Sequence, residues 1–241
     1  MLSKSSLCVL VYVVLCSIFT SCQRDSQSHV TSHSAPERVH NESTQTPKTR
    51  ADVTWLFIGD SLTAGYGLSK EEAYVHQLES RLSREKWTAR DRRMIKLINA
   101  GVSGDTSAGV LRRIDWLLED EIERVFVCIG ANDGLRGQPI KELRDNLGKI
   151  IKRVRARGMK VVLMGMKLPP NYGPLYTTQF AQDYADVAQE YNVTFLPYLL
   201  EGVGGRADYN QADGIHPNRT GQVHIASHIF EFLRAQKLIN Q

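Results

Sequence analysis

Cysteine is scarce in this 241-residue chain and poorly placed for cross-linking, since only four are present. Cys8 and Cys16 lie inside an N-terminal apolar run, Cys22 closes it, and Cys128 alone falls in the body of the chain. There is no CxxC pair and no Cys/His zinc spacing, so neither a disulfide framework nor a zinc finger is available. Cys128 sits in the strand-like segment VFVCIG and reads as an inert core thiol. Long apolar runs are also missing: Leu7 to Phe19 is too short to span a bilayer comfortably. Gly65 and Gly67 form no GxGxxG and no P-loop, which removes the usual grounds for nucleotide binding. Blocks of one charge sign are absent too. The net charge is +4 and the pI about 8.9, but the basic residues of 90–93 and 149–157 are mixed with acidic or apolar neighbours. Without aromatic residues interleaved they read as solvated helix faces, and no nucleic-acid partner is expected. No internal repeat is found. The remaining composition, 42% hydrophobic and 23% charged, suits one globular domain of good size.

The N-terminus is a separate matter. Lys4 provides a charged start, the apolar run follows, and Phe19-Thr20-Ser21-Cys22 ends it. Small residues before a cysteine resemble a bacterial lipobox, with Phe19 departing from the usual leucine. Residues 1–22 are therefore expected to be an export signal, with Cys22 as a lipidation site that anchors the chain to a membrane of the cell envelope. Residues 23–50 are rich in Ser, Thr, His, Gln and Asn and nearly free of large apolar side chains. Such a segment cannot bury enough surface to offset its chain entropy, so it is expected to be a disordered tether. The folded domain is expected over 51–241.

From Asp52 onward the pattern alternates. Strand-like runs occur at 53–58, 94–99, 124–129, 160–164 and 193–196. Amphipathic helical segments are expected at 72–85, 108–118, 139–157, 178–191 and 219–236. Strands alternating with helices imply a parallel sheet covered on both faces, hence a three-layer αβα sandwich of the α/β class.

In such a fold, ligands bind beyond the carboxyl ends of the strands. The polar turns fall there. Gly59-Asp60-Ser61 follows the first strand, Ser103-Gly104-Asp105 the second, and Gly130-Ala131-Asn132-Asp133 the third. Asp213-Gly214-Ile215-His216 precedes the last helix. These residues fit acyl transfer to water. Ser61 is a nucleophile, or else only a helix cap. His216 can act as its base, and Asp213, three residues earlier, can hold the other ring nitrogen. The backbone N–H groups of Ser61 and Gly104, with the Asn132 amide, could bind the oxyanion.

GDSL at Gly59–Leu62, Gly104 in SGDTS, GANDG at Gly130–Gly134 and DGIHP at Asp213–Pro217 resemble the four blocks of the SGNH (GDSL) hydrolase family. GDSLTAGYG, NDGLRG, LPPNYG and DGIHPN are further similar to its bacterial arylesterase, thioesterase I and lysophospholipase L1 branch. The likeness covers residues 52–236. It implies a flavodoxin-like five-stranded sheet, a Ser61–His216–Asp213 triad, an oxyanion hole completed by Gly104 and Asn132, and no metal or other cofactor. It also implies that Leu168, Pro169, Asn171 and Tyr172 line the acyl-chain side of the site, although a plain loop is the alternative. Ala131 stands where relatives often carry glycine.

The expected substrates are carboxylic esters, with thioesters and lysophospholipids among them. One rival keeps the residues and changes the substrate to carbohydrate or peptidoglycan O-acetyl esters. Another is a non-catalytic surface lipoprotein that binds a ligand on a hydrolase scaffold. His224 and His228 stand four apart on the last helix without a third ligand, so they are not taken as a metal site. Asp60, Asp105 and Asp133 are expected to tie loops, and Trp55, Trp87 and Trp116 to pack in or near the core. The sequence fixes no oligomeric state.

Overall fold

A computed structural model describes residues 52–241. The expected export signal with Cys22 (1–22) and the expected tether (23–50) lie outside the described residues. In chain order the elements are β1 (Val53–Gly59), α1 (Ser61–Ala64), α2 (Tyr74–Arg84), β2 (Thr88–Ala89), β3 (Ile95–Gly101), α3 (Ser107–Leu117) and β4 (Ile122–Cys128). They continue with α4 (Ala131–Leu135), α5 (Ile140–Ala156), β5 (Lys160–Met164), α6 (Pro174–Glu190), β6 (Thr194–Leu196), α7 (Arg219–Ala235) and β7 (Ile239–Asn240).

Five strands form a parallel sheet in the order β3-β1-β4-β5-β6. Counting only these five, the order is the flavodoxin-like 2-1-3-4-5, as expected. β1 and β4 are buried on both faces along almost their whole length, which explains the apolar runs Trp55–Ile58 and Val125–Cys128 within them. Between them, Phe57 stacks on Phe126 at 4.3 Å and Trp55 lies 5.5 Å from the same ring. Full burial of one such side chain contributes about 1.5–3 kcal/mol. α2 packs with α7, while α5 packs between α3 and α6, giving the helical layers. In α5 the buried residues Leu143, Leu147, Ile150, Ile151 and Val154 follow helical spacing and form one stripe.

Three differences from the sequence reading have plain causes. α6 begins at Pro174, a turn before the expected 178, because proline is well placed at a helix start, where its missing N–H costs nothing. β2 and β7 form a small antiparallel ribbon that carries no readable periodicity at two residues each. Trp116 does not pack in the core: it is 86% exposed on the outer face of α3, which the core-facing Val110 and Ile114 leave to solvent. Cys128 is a buried free thiol, and burial pushes its ionisation well upward.

Gly59 makes the turn after β1. A side chain there would meet Thr63 at 2.0 Å and the backbone oxygen of Cys128 at 2.8 Å, so only glycine lets α1 fold back against the sheet. Asp60 then caps α1 by accepting from Leu62 N–H at 3.0 Å. Ser61 is left as the first helical residue at the carboxyl edge.

Candidate active site

Ser61 reaches the site from the first strand and His216 from the loop before the last helix. The Ser61 hydroxyl oxygen lies 2.9 Å from His216 Nε2. His216 Nδ1 lies 2.7 Å from Asp213 Oδ2. The other carboxylate oxygen, Asp213 Oδ1, accepts from the backbone N–H groups of Ile215 and His216, both at 3.0 Å. Asp213 thus folds its own turn around itself and holds the ring that follows. The His216 backbone N–H, the His216 ring and the Ile215 N–H hold its carboxyl down to about 2, so it stays ionised. An ionised carboxylate only accepts, so Nδ1 carries the proton and Nε2 is free to accept from the serine.

Opposite this chain stand the loops after β3 and β4. Among the described residues the backbone N–H groups of Ser61 and Gly104 make no hydrogen bond, leaving both for an outside acceptor. Asn132 spends one amide hydrogen on the carbonyl of Asp105 at 2.9 Å and keeps the second. Arg136 donates to the Gly104 carbonyl at 2.9 Å, stitching the two loops together. Asp105 is held in turn by Arg113 at 2.8 Å, whose guanidinium also reaches the Gly59 carbonyl at 3.3 Å. Asp133 accepts from both the backbone and the hydroxyl of Ser107. Asp60, Asp105 and Asp133 are therefore loop ties, as the sequence suggested. Asp60 is 1% exposed, and this burial pushes its carboxyl up to about 6.

A cleft of about 460 Å³ opens on Ser61, Asn132 and His216. Its walls are mostly apolar: Leu62, Leu135, Met166, Leu168, Pro169, Pro170, Leu200 and Ile215, with Lys167 and Tyr198 among them. Leu168 and Pro169 line the cleft. Asn171 and Tyr172 are not on the wall. The short turn Pro170–Tyr172 carries them past the cleft, and the Tyr172 hydroxyl donates to the Leu135 carbonyl at 2.9 Å. Sequence reasoning missed Met166, Lys167, Tyr198, Arg136, Tyr66 and Gln211. Their positions depend on loop shape, and no residue pattern announces it. His224 and His228 do not converge: the His224 ring packs tilted against Tyr209 at 4.3 Å, and His228 Nε2 donates to the Tyr198 carbonyl at 3.0 Å.

An arrangement of hydroxyl, imidazole, carboxylate and free N–H donors around one apolar cleft can carry out nucleophilic acyl transfer. The family model of the GDSL-like lipase/acylhydrolase family matches residues 57–223. The chain is 41% identical over 185 residues to "Esterase TesA" of Pseudomonas aeruginosa, covering 76% of this chain and 89% of that protein. It is 38% identical over 188 residues to "Thioesterase 1/protease 1/lysophospholipase L1" of Escherichia coli, covering 78% and 85%. Among solved structures, the psychrotrophic esterase EstA from Pseudoalteromonas sp., inhibited by monoethylphosphonate, superposes with a TM-score of 0.71 at 36% identity, covering 77% of this chain and 98% of that one. A serine and a histidine from opposite ends of the domain, meeting over a shared cleft, agree with these likenesses, and the chain belongs to the GDSL-like lipase/acylhydrolase family of SGNH ester hydrolases.

Proposed function

We propose that the protein hydrolyses carboxylic esters, thioesters and lysophospholipids of single acyl chains through an acyl-Ser61 intermediate. The observation that carries this reading is the 2.9 Å approach of Ser61 Oγ to His216 Nε2 inside an apolar cleft. The Ser61 oxygen attacks the carbonyl carbon while Nε2 takes its proton. The oxygen of the tetrahedral intermediate then draws on the N–H groups of Ser61 and Gly104 and the spare amide hydrogen of Asn132. The C–O or C–S bond breaks, and His216 returns the proton to the departing alcohol or thiol. Water, deprotonated by the same ring, attacks the acyl carbon; the C–O bond to Ser61 breaks, the ring returns the proton to the serine oxygen, and the carboxylic acid leaves. Asp213 remains ionised throughout and stabilises the imidazolium.

The test is covalent. A fluorophosphonate is expected to label the protein at Ser61, and Ser61→Ala is expected to lose both labelling and hydrolysis of a p-nitrophenyl ester. Full hydrolysis by Ser61→Ala would reject the reading.

The N-terminal sequence supports export and anchoring to the cell envelope through a lipid on Cys22. Metabolic labelling with a fatty-acid analogue is expected to mark the wild type and not Cys22→Ser. Equal labelling of the two would rule out this anchor.

A further inference from the structure

The nucleophile and its base are 155 residues apart in sequence, and packing of α2 on α7 alone does not fix a 2.9 Å contact between loops. Besides the Ser61–His216 contact itself and the packing of the Tyr66 ring on the imidazole, Gln211 joins the two loops through hydrogen bonds. Gln211, half-buried in the turn before Asp213, spends its amide hydrogens on two carbonyls: Tyr66 at 2.7 Å and Pro217 at 3.1 Å. Tyr66 belongs to the turn that follows the nucleophile, and its own N–H donates to the Ser61 carbonyl at 3.0 Å. Pro217 directly follows His216. The backbone of Gln211 takes part as well, its N–H donating to the His216 carbonyl at 2.7 Å and its carbonyl accepting from Gly214 at 2.9 Å.

The consequence reaches the imidazole from two sides. Through the backbone, Gln211 closes the loop that presents Asp213 and His216. Through its amide, it holds the Tyr66 segment so that the Tyr66 ring lies 4.5 Å from the His216 ring. Gly67, at a φ of +77°, lies close beside the Gln211 amide, where a side chain would come within 2.5 Å of Oε1.

We propose that Gln211 is a positioning residue of the hydrolytic reaction, a brace that sets the register between the Ser61 turn and the His216 loop. The inference rests on the acyl-Ser61 reading above. Gln211 touches neither substrate nor proton. Its effect is on geometry, and displacement of a catalytic group by about 1 Å can cost about 100-fold in rate.

The experiment uses the full chain. Gln211→Glu keeps the shape, but its carboxylate only accepts and would face two carbonyls. Gln211→Met keeps the length without any donor. With the thermal midpoint near that of the wild type, both variants are expected to lose about 10- to 100-fold in kcat and in the rate of fluorophosphonate labelling of Ser61. KM for a short p-nitrophenyl ester should stay within about twofold, since the cleft wall is untouched. Should Gln211→Glu fail to fold, Gln211→Met decides. Folded variants that label and turn over at the wild-type rate, or that lose only KM, would overturn the inference. Ser61→Ala measured alongside separates the two claims. If it is inactive while the Gln211 variants match the wild type, the brace fails and the mechanism stands. If Ser61→Ala stays active, the mechanism itself fails.

Discussion

At the scale of the residue, two carboxylates near Ser61 are driven in opposite directions. Asp213 is exposed and surrounded by donors, so its carboxyl is held down to about 2. Asp60 is buried with one backbone donor, and burial pushes its carboxyl up to about 6 from an ordinary 3.8. A carboxyl raised in the folded state is bound more tightly to its proton there than in the unfolded chain. Its stabilising contribution is therefore greatest in acid and is lost as pH rises from about 4 through about 6, by an amount on the order of 3 kcal/mol. Asp60→Asn keeps an acceptor for Leu62 N–H and cannot titrate. The stability of Asp60→Asn relative to wild type is expected to rise between pH 4 and pH 7 in thermal or urea melts. Parallel curves over that range would show that Asp60 is not buried as described. The convergence of Ser61, Asp213 and His216 was legible in the sequence because each sits in a short motif at a turn or a helix start. Tyr66 and Gln211 were not, since the bond that makes Gln211 informative goes to a backbone carbonyl with no sequence signature.

At the scale of the element, the loops after β3 and β4 form one unit. Arg136 ties the second to the first through the Gly104 carbonyl, and Asn132 does so through the carbonyl of Asp105. Arg136→Ala is expected to lower kcat about 3- to 10-fold with KM little changed, the loss of one charge-assisted hydrogen bond at an exposed position. Steady-state kinetics on a short ester would check this, and an unchanged kcat would show that the Gly104 loop holds itself. Buried strands were readable because a central parallel strand carries a run that is apolar on both faces, as β1 does at Trp55–Ile58 and β4 at Val125–Cys128. The start of α1 was legible at the Ser61 turn, whereas α4 escaped notice because five residues do not complete a periodic pattern. On the exposed faces, Trp116 and Val223 are apolar without being core, and composition alone could not distinguish them.

At the scale of the whole molecule, the sheet order puts β1 between β3 and β4, so the turns that carry Ser61, Gly104 and Asn132 lie side by side. Among the described residues, those that line the cleft fall between Asp60 and His216. A chain shortened by residues 1–50 is expected to keep kcat/KM on a soluble p-nitrophenyl ester within about a factor of two of the full chain, since it keeps the triad and the oxyanion donors. A large loss in this assay would place part of the machinery in the N-terminal segment. The overall architecture followed from the alternation of strands and helices. The shape of the acyl cleft did not, because Met166, Tyr198 and Leu200 are brought together by loops whose course depends on the finished fold.

The wide separation of Ser61 and His216 along the chain has a consequence for synthesis. The ribosome makes the nucleophile early and the base only as the final helix is about to emerge. Under the proposed acyl-Ser61 mechanism, a chain that stops short of His216 lacks the base that takes the serine's proton. On that reading, hydrolysis waits for the loop before α7 to reach the turn after β1.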